Sequence, residues 1–121
     1  MIIAPSLLSA NFLHLENEMS NLSIIPNLWI HLDVMDNHFV PNLTFGRTVL
    51  AKLHTVTKHP LDAHFMVENP EKYIEEYSDI KLHNFTFHFE ATKDSLSFVC
   101  VTISSSSFVL MLSISVRRFL S

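Results

Sequence analysis

Short apolar runs alternate with helical stripes along most of this chain, and that alternation limits the folds open to it. Ile2 to Pro5 reads as a short buried strand. Phe12, Leu15, Met19 and Leu22 are spaced 3, 4 and 3 apart, a helical stripe, and Asn11 is placed to cap it. Residues 28–35 read as a second strand. Val49, Leu50 and Leu53 mark a short helix over 47–54, and residues 61–67 a third strand. Asn69, with Pro70 at the first helical position, opens a helix that runs to about Tyr77. Residues 84–90 read as a fourth strand with Phe85, Phe87 and Phe89 on one face. Strands that alternate with helices in this way imply an α/β fold with parallel strands and right-handed crossovers.

The strands carry unusual polar faces. In a strand, residues i and i+2 point the same way. His31 and Asp33 therefore share a face with Trp29 and Met35, while Leu28, Ile30, Leu32 and Val34 share the other. The third strand repeats the idea, with Asp62, His64 and Met66 on one face. Two strands that each offer a histidine on the polar face could build a divalent-metal site from His31, Asp33 and His64. A mixed imidazole and carboxylate set suits zinc, iron, manganese or cobalt, and the sequence does not choose among them. On spacing alone, each histidine could equally be a hydrogen-bonded core residue.

Composition excludes several classes. With 48% hydrophobic residues the chain is not of disordered composition. A net charge of −4 argues against a broad basic surface and so against nonspecific nucleic-acid binding. The single cysteine, Cys100, rules out an intramolecular disulfide framework. Met1 to Pro5 has no charged segment and is no secretory signal, so a cytoplasmic, reducing compartment is the expectation. One glycine, Gly46, stands in the whole chain, against an average usage of about 7%.

Residues 95–121 break the pattern. They contain nine serines and no charge from Ser95 to Val116. The uncharged span 96–116, followed by Arg117 and Arg118, is long enough to cross a bilayer, but four consecutive serines at its centre weigh against a membrane helix. The expected division is therefore 1–94 as the folded part and 95–121 as a serine-rich apolar tail, irregular or loosely helical. Its β-prone runs Phe98–Ile103 and Phe108–Val116 could still pair opportunistically.

Four motifs then identify a relative. Ala4-Pro5-Ser6-Leu7-Leu8-Ser9-Ala10 comes first, then His31 to Asn42 with Leu43-Thr44-Phe45-Gly46. His64-Phe65-Met66-Val67 with Asn69-Pro70 follows, then Phe87-His88-Phe89-Glu90-Ala91. In order and spacing they resemble the ribulose-phosphate 3-epimerase family, over residues 2 to about 94. The resemblance implies a partial (β/α)8 TIM barrel with about four parallel strands. Complete barrels take about 250 residues, with a range from near 200, so 121 residues hold about half of one. A small open α/β sheet is the alternative. Exposed edges of a half barrel favour self-association into a homo-oligomer, or aggregation.

The resemblance also assigns roles. It implies interconversion of D-ribulose 5-phosphate and D-xylulose 5-phosphate, in the pentose phosphate pathway, by metal-assisted proton transfer at C3. His31, Asp33 and His64 would be ligands of one divalent ion, and Asp33 an acid/base group as well. Ser6 and His64 would contact the sugar phosphate, and Met35 and Met66 would wall the pocket. His88 could line that pocket, and Asp36, His38 and Asn42 would hold the loop after the second strand. Asn37 stands where the family usually has glycine; asparagine tolerates a positive φ. The family's opposite-face aspartate and its phosphate grip come late in the barrel, and the chain ends before them. The expectation is a truncated chain with little or no activity. The alternatives are a non-catalytic remnant with an interaction or weak metal-binding role, and a tail-anchored membrane protein.

Overall fold

In the computed structural model, residues 2–93 and the strand Cys100–Ser104 are described. Three parallel strands form the centre: β1 (Ile30–Met35), β2 (Leu61–Met66) and β3 (Leu82–His88). A fourth strand, β4 (Cys100–Ser104), completes one open sheet in the order β1-β2-β3-β4. β1 and β2 run in register from Ile30 opposite Leu61 to Met35 opposite Met66. Between β2 and β3 the register shifts by one after Leu61, so that Asp62 faces Asn84. His83 is left out of the pairing, and its ring lies edge-on to Trp29 with centroids 4.5 Å apart.

Helices α1 (Leu15–Leu22), α2 (Arg47–Val56) and α3 (Pro70–Glu76) link or precede the strands. The core lies between helices and sheet. Ile30, Leu32 and Val34 of β1 and Leu61, Ala63 and Phe65 of β2 are buried, as are Phe85 and Phe87 of β3. They pack with Met19, Leu50 and Leu53 from the helices and with Tyr77 and Ile80. Phe65 is stacked on Phe85 at 4.0 Å and meets Tyr77 edge-on at 5.1 Å. The i, i+2 alternation expected from the sequence thus becomes one covered face and one polar face of the same sheet.

The N-terminal segment differs from a buried strand. It pairs in parallel through two isolated bridges, Ile3 with Leu28 just before β1 and Ser6 with His31 in β1. Ile2 and Ile3 are more than half exposed. Pro5 accepts the His31 N–H at 3.0 Å but has no N–H of its own to continue the ladder. The stripe from Phe12 begins as a 3-10 turn, Phe12–His14, because Asn11 Oδ1 takes the Leu13 N–H at 3.1 Å. Phe89 falls in a 3-10 turn beyond β3 rather than on its buried face.

β4 is antiparallel to β3, from Asn84 opposite Ser104 to His88 opposite Cys100. A parallel return needs a crossover of about a dozen residues or more. The connection from β3 to β4, residues 89–99, has eleven residues, at the lower limit for such a crossover, and the β-prone run turns back instead. Residues 94–99 and 105–121 lie outside the described residues, and most of the uncharged span 96–116 with them. Among the described residues no helix is long and apolar enough to cross a membrane.

Candidate metal centre

The polar face of the sheet gathers its ionisable groups across the middle of the strands: His31 and Asp62 are second, and Asp33 and His64 fourth, of the six residues of β1 and β2. Asp33 and His64 are register partners across β1 and β2. His31 Nε2 lies 3.2 Å from Asp33 Oδ1, and His64 Nδ1 lies 3.5 Å from the same oxygen. One ligand atom from each of His31, Asp33 and His64 lies within 4.8 Å of the others. The three sequence-predicted ligands therefore converge, although each strand supplies its own members two residues apart or singly.

Neighbouring side chains fix these groups. The Ser6 hydroxyl donates to Asp33 Oδ2 at 2.6 Å and accepts the Leu8 N–H at 3.2 Å. The parallel bridge between Ser6 and His31 is what brings the serine there. His31 Nδ1 lies 2.8 Å from Asp62 Oδ2, and an ionised carboxylate only accepts, so Nδ1 carries the proton. Thr44 ties the strand end to the loop: its hydroxyl donates to the Asp33 carbonyl at 2.6 Å and accepts the Met35 N–H at 2.9 Å. Met35 and Met66 are register partners at the strand ends, half-buried on the same face.

The loop after β1 is held as expected. Asp36 Oδ1 accepts the N–H groups of His38 and Phe39, both at 2.9 Å, and Oδ2 accepts the Glu68 N–H at 2.8 Å. Burial works to raise the Asp36 carboxyl, but these three N–H groups outweigh it and hold the carboxyl below its ordinary range. Asn37 adopts φ 61°, and its N–H reaches the Asn42 carbonyl at 2.9 Å. Asn27 and Asn69 also take positive φ. In a chain with one glycine, asparagine fills the left-handed turns.

The two candidate ligand histidines differ electrically. The hydrogen bond to Asp62 raises the His31 pKa against the opposing effect of burial, with Asp33 adding to the rise. Burial lowers the His64 pKa, and the charge of nearby His88 lowers it further. Neutral His31, with its proton on Nδ1, would aim the Nε2 lone pair at Asp33 Oδ1 from 3.2 Å. That pairing is repulsive unless a proton or a cation sits between. Zinc bonds of about 2.0–2.1 Å in a tetrahedral shell put neighbouring ligand atoms about 3.3 Å apart. The two separations from Asp33, 3.2 and 3.5 Å, match that spacing, and all three ligand atoms lie within 4.8 Å of one another, so the donor set suits a divalent ion.

Two participants, Asp62 and Thr44, were not assigned roles by the sequence, and a third, His88, was expected only to line the pocket. Asp62 lies on the correct face, but its partnership with His31 depends on the register of β1 against β2, which one strand's pattern cannot reveal. Thr44 sits in a quoted motif without a signal for its two hydrogen bonds. His88 Nε2 comes within 2.8 Å of His64 Nε2. Two histidines outside the cluster are also partnered: His59 Nε2 lies 3.1 Å from the Leu22 carbonyl, and His83 packs on Trp29.

Comparison with known proteins agrees with this geometry. The pattern of the ribulose-phosphate 3 epimerase family matches residues 2–109. A ribulose-phosphate 3-epimerase of Treponema pallidum is 48% identical over 89 residues, covering 74% of this chain and 41% of that protein. The Mycobacterium tuberculosis ribulose-phosphate 3-epimerase is 45% identical over 91 residues, covering 75% and 39%. The cytoplasmic isoform from Oryza sativa subsp. japonica is 44% identical over 93 residues, covering 77% and 41%. The chain thus spans about two-fifths of the length of these relatives. With its motifs, its parallel strands and its His–Asp–His cluster in place, the chain belongs to the ribulose-phosphate 3-epimerase family.

Proposed function

We propose that this chain carries one half of the proton-transfer site of a ribulose-phosphate 3-epimerase, acting on D-ribulose 5-phosphate and D-xylulose 5-phosphate. The observation that supports it is the convergence of His31, Asp33 and His64 in a member of that family. His31, Asp33 and His64 hold the divalent ion. When bound, the ion acts as a Lewis acid and offsets the negative charge that develops beside the C2 carbonyl.

The chain's own residues do the rest. Asp33 takes the C3 proton on one face of the sugar. Ser6 donates to the other oxygen of that carboxylate, which leaves Oδ1 toward the cluster and fixes the plane of the group. Asp62 holds the His31 ring by Nδ1, so that Nε2 stays turned to the site. Met35 and Met66 form an apolar wall at the strand ends, and Ser6 and His64 contact the sugar phosphate.

Inversion at C3 requires a second acid/base group on the opposite face. Among the described residues the cluster holds two carboxylates; Asp62 sits behind the His31 ring on its Nδ1, which leaves Asp33 as the base at the metal side. The 121-residue chain should therefore exchange the C3 hydrogen with solvent faster than it inverts the centre. Losing a positioned general acid costs about 10² to 10⁴ in rate.

The test incubates the zinc- or manganese-loaded chain with ribulose 5-phosphate in heavy water and follows C3 by NMR. The expected result is deuterium entry at C3, abolished by Asp33→Asn, with xylulose 5-phosphate formed far more slowly. Epimerisation within tenfold of a full-length relative would overturn the one-sided reading. Metal binding with no exchange at all would favour a non-catalytic, metal-binding remnant.

A further inference from the structure

We propose that His88 and Glu90 are positioning residues that set the tautomer and orientation of His64, as the outer half of the metal site. This rests on the reading of His31, Asp33 and His64 as the metal's ligands.

The geometry around His64 is directional. Its Nδ1 faces Asp33 at 3.5 Å, and its Nε2 faces His88 Nε2 at 2.8 Å. Two imidazole nitrogens at that distance need one proton between them. With two they clash, and with none their lone pairs repel. If His64 offers its Nδ1 lone pair to a cation, the neutral ring carries its proton on Nε2 and donates it to His88. His88 then accepts at Nε2 and carries its own proton on Nδ1. Glu90 Oε1 lies 3.4 Å from that Nδ1, a long contact that gives the proton an electrostatic partner. Each ring in this series has one assignment consistent with metal at the Asp33 end.

The same logic recurs across the site in shorter form. His31 has its Nδ1 on Asp62 at 2.8 Å and its Nε2 toward Asp33. Both ligand imidazoles thus end on a carboxylate, His31 directly and His64 through a second ring. His88 cannot itself be a fourth ligand of the same ion, because its Nε2 is aimed at the side of the His64 ring remote from Asp33. It is held in place from two directions. It is the last residue of β3, whose register against β2 sets it two positions beyond Thr86, the partner of His64. The Phe39 ring, from the loop that Asp36 organises, packs on it with centroids 5.1 Å apart.

Groups of this kind orient ligands and raise their basicity, and their loss costs about 10- to 100-fold in metal affinity. The first measurement is the nitrogen NMR spectrum of the zinc-loaded wild-type chain with labelled histidine. It should show His64 bound through Nδ1 with Nε2 protonated, and His88 protonated on Nδ1. Zinc titration by calorimetry is the second. His88→Phe keeps a ring against Phe39 but removes the acceptor, and should weaken zinc about 10- to 100-fold. His88→Gln restores an acceptor oxygen and should recover most of that loss, a rescue that a purely packing role would not give. Glu90→Gln should weaken zinc by about threefold, being the outermost member.

Failure of the inference and failure of the metal reading are distinguishable. A wild-type chain that binds no zinc overturns both. A wild-type chain that binds zinc through His64 Nε2, or a folded His88→Phe variant that binds it as tightly as wild type, overturns the role of His88 alone. Should His88→Phe not fold, the wild-type spectrum and the Glu90→Gln titration still decide it.

Discussion

The two faces of the central sheet come from the same nineteen residues of β1, β2 and β3 and obey opposite rules. On the covered face, Ile30, Leu32, Ala63 and Phe65 have no exposed surface. Their neighbours in sequence, His31, Asp33 and His64, keep 15 to 27% of their side-chain surface. Among the described residues the covered face buries no polar side chain, whereas the other holds three imidazoles and two carboxylates joined by hydrogen bonds and the His64–Asp33 contact. Stability and chemistry are thus separated by a single step along the backbone. A β-strand can do this because its period is two, so selection on one face leaves the other free.

The sharpest way to break that separation is to truncate adjacent residues. Phe65→Ala removes a ring stacked on Phe85 and set against Tyr77, and should cost about 3–5 kcal/mol in urea unfolding. His64→Ala, one residue earlier, removes one hydrogen bond on a half-open surface and should cost about 1 kcal/mol or less, while abolishing metal binding. Equal losses of stability from the two variants would show that the polar face also carries the fold.

A second contrast comes from alkali. Burial pushes the Tyr77 hydroxyl up to about 12, with the charge of Glu76 and the neighbouring Tyr73 adding to it. The folded state then holds this proton more tightly than the unfolded chain, whose tyrosine titrates near 10. Tyr77 makes no pH-dependent contribution below about pH 10, and stability falls from there to about pH 12. Two units correspond to about 2–3 kcal/mol. Tyr77→Phe should flatten the loss in denaturation curves taken across that range. A wild-type curve unchanged up to pH 12 would mean that the ring is less enclosed than its packing indicates.

What was legible in the sequence follows the same division. Within a strand, alternation is carried by neighbours in sequence, so both faces of β1 and β2 and the convergence of His31 with Asp33 could be read directly. The Asn37 turn was also legible, through the resemblance to a family that usually has glycine there and because asparagine tolerates a positive φ. Cross-strand partners were not: that Asp62 meets His31 and His88 meets His64 depends on register, which packing of the covered face decides. The N-terminal segment was read as too regular a strand, because apolar character alone does not reveal that Pro5 interrupts the ladder. In Cys100–Ser104 the β-prone pattern was visible, but its antiparallel direction depends on the length of the preceding connection.

The smallest expected effect tests the polar end from the acid side. Asp36 accepts three backbone N–H groups, from His38, Phe39 and Glu68, and its carboxyl is held below its ordinary value by them, against burial. A carboxyl depressed on folding contributes stability above its unfolded pKa and loses it as pH falls through the folded one. The contribution should therefore be whole above about pH 4 and fade below it. Because the group is only partly enclosed, solvent screening keeps the global effect under about 1 kcal/mol. Locally it should be plain. The Glu68 amide bridges the loop after β1 to the end of β2, and its hydrogen exchange should quicken as the carboxyl is protonated. Asp36→Asn should exchange at the faster rate already at pH 6, with wild type and variant converging as the pH falls through the depressed titration of the folded carboxyl. If the wild-type rate stays flat through the acid range in which the carboxyl titrates, the loop is held by the shape of the Asn37 turn and not by the charge on Asp36. The polar end would then resemble the covered face, in resting on packing and backbone conformation more than on its ionisable groups.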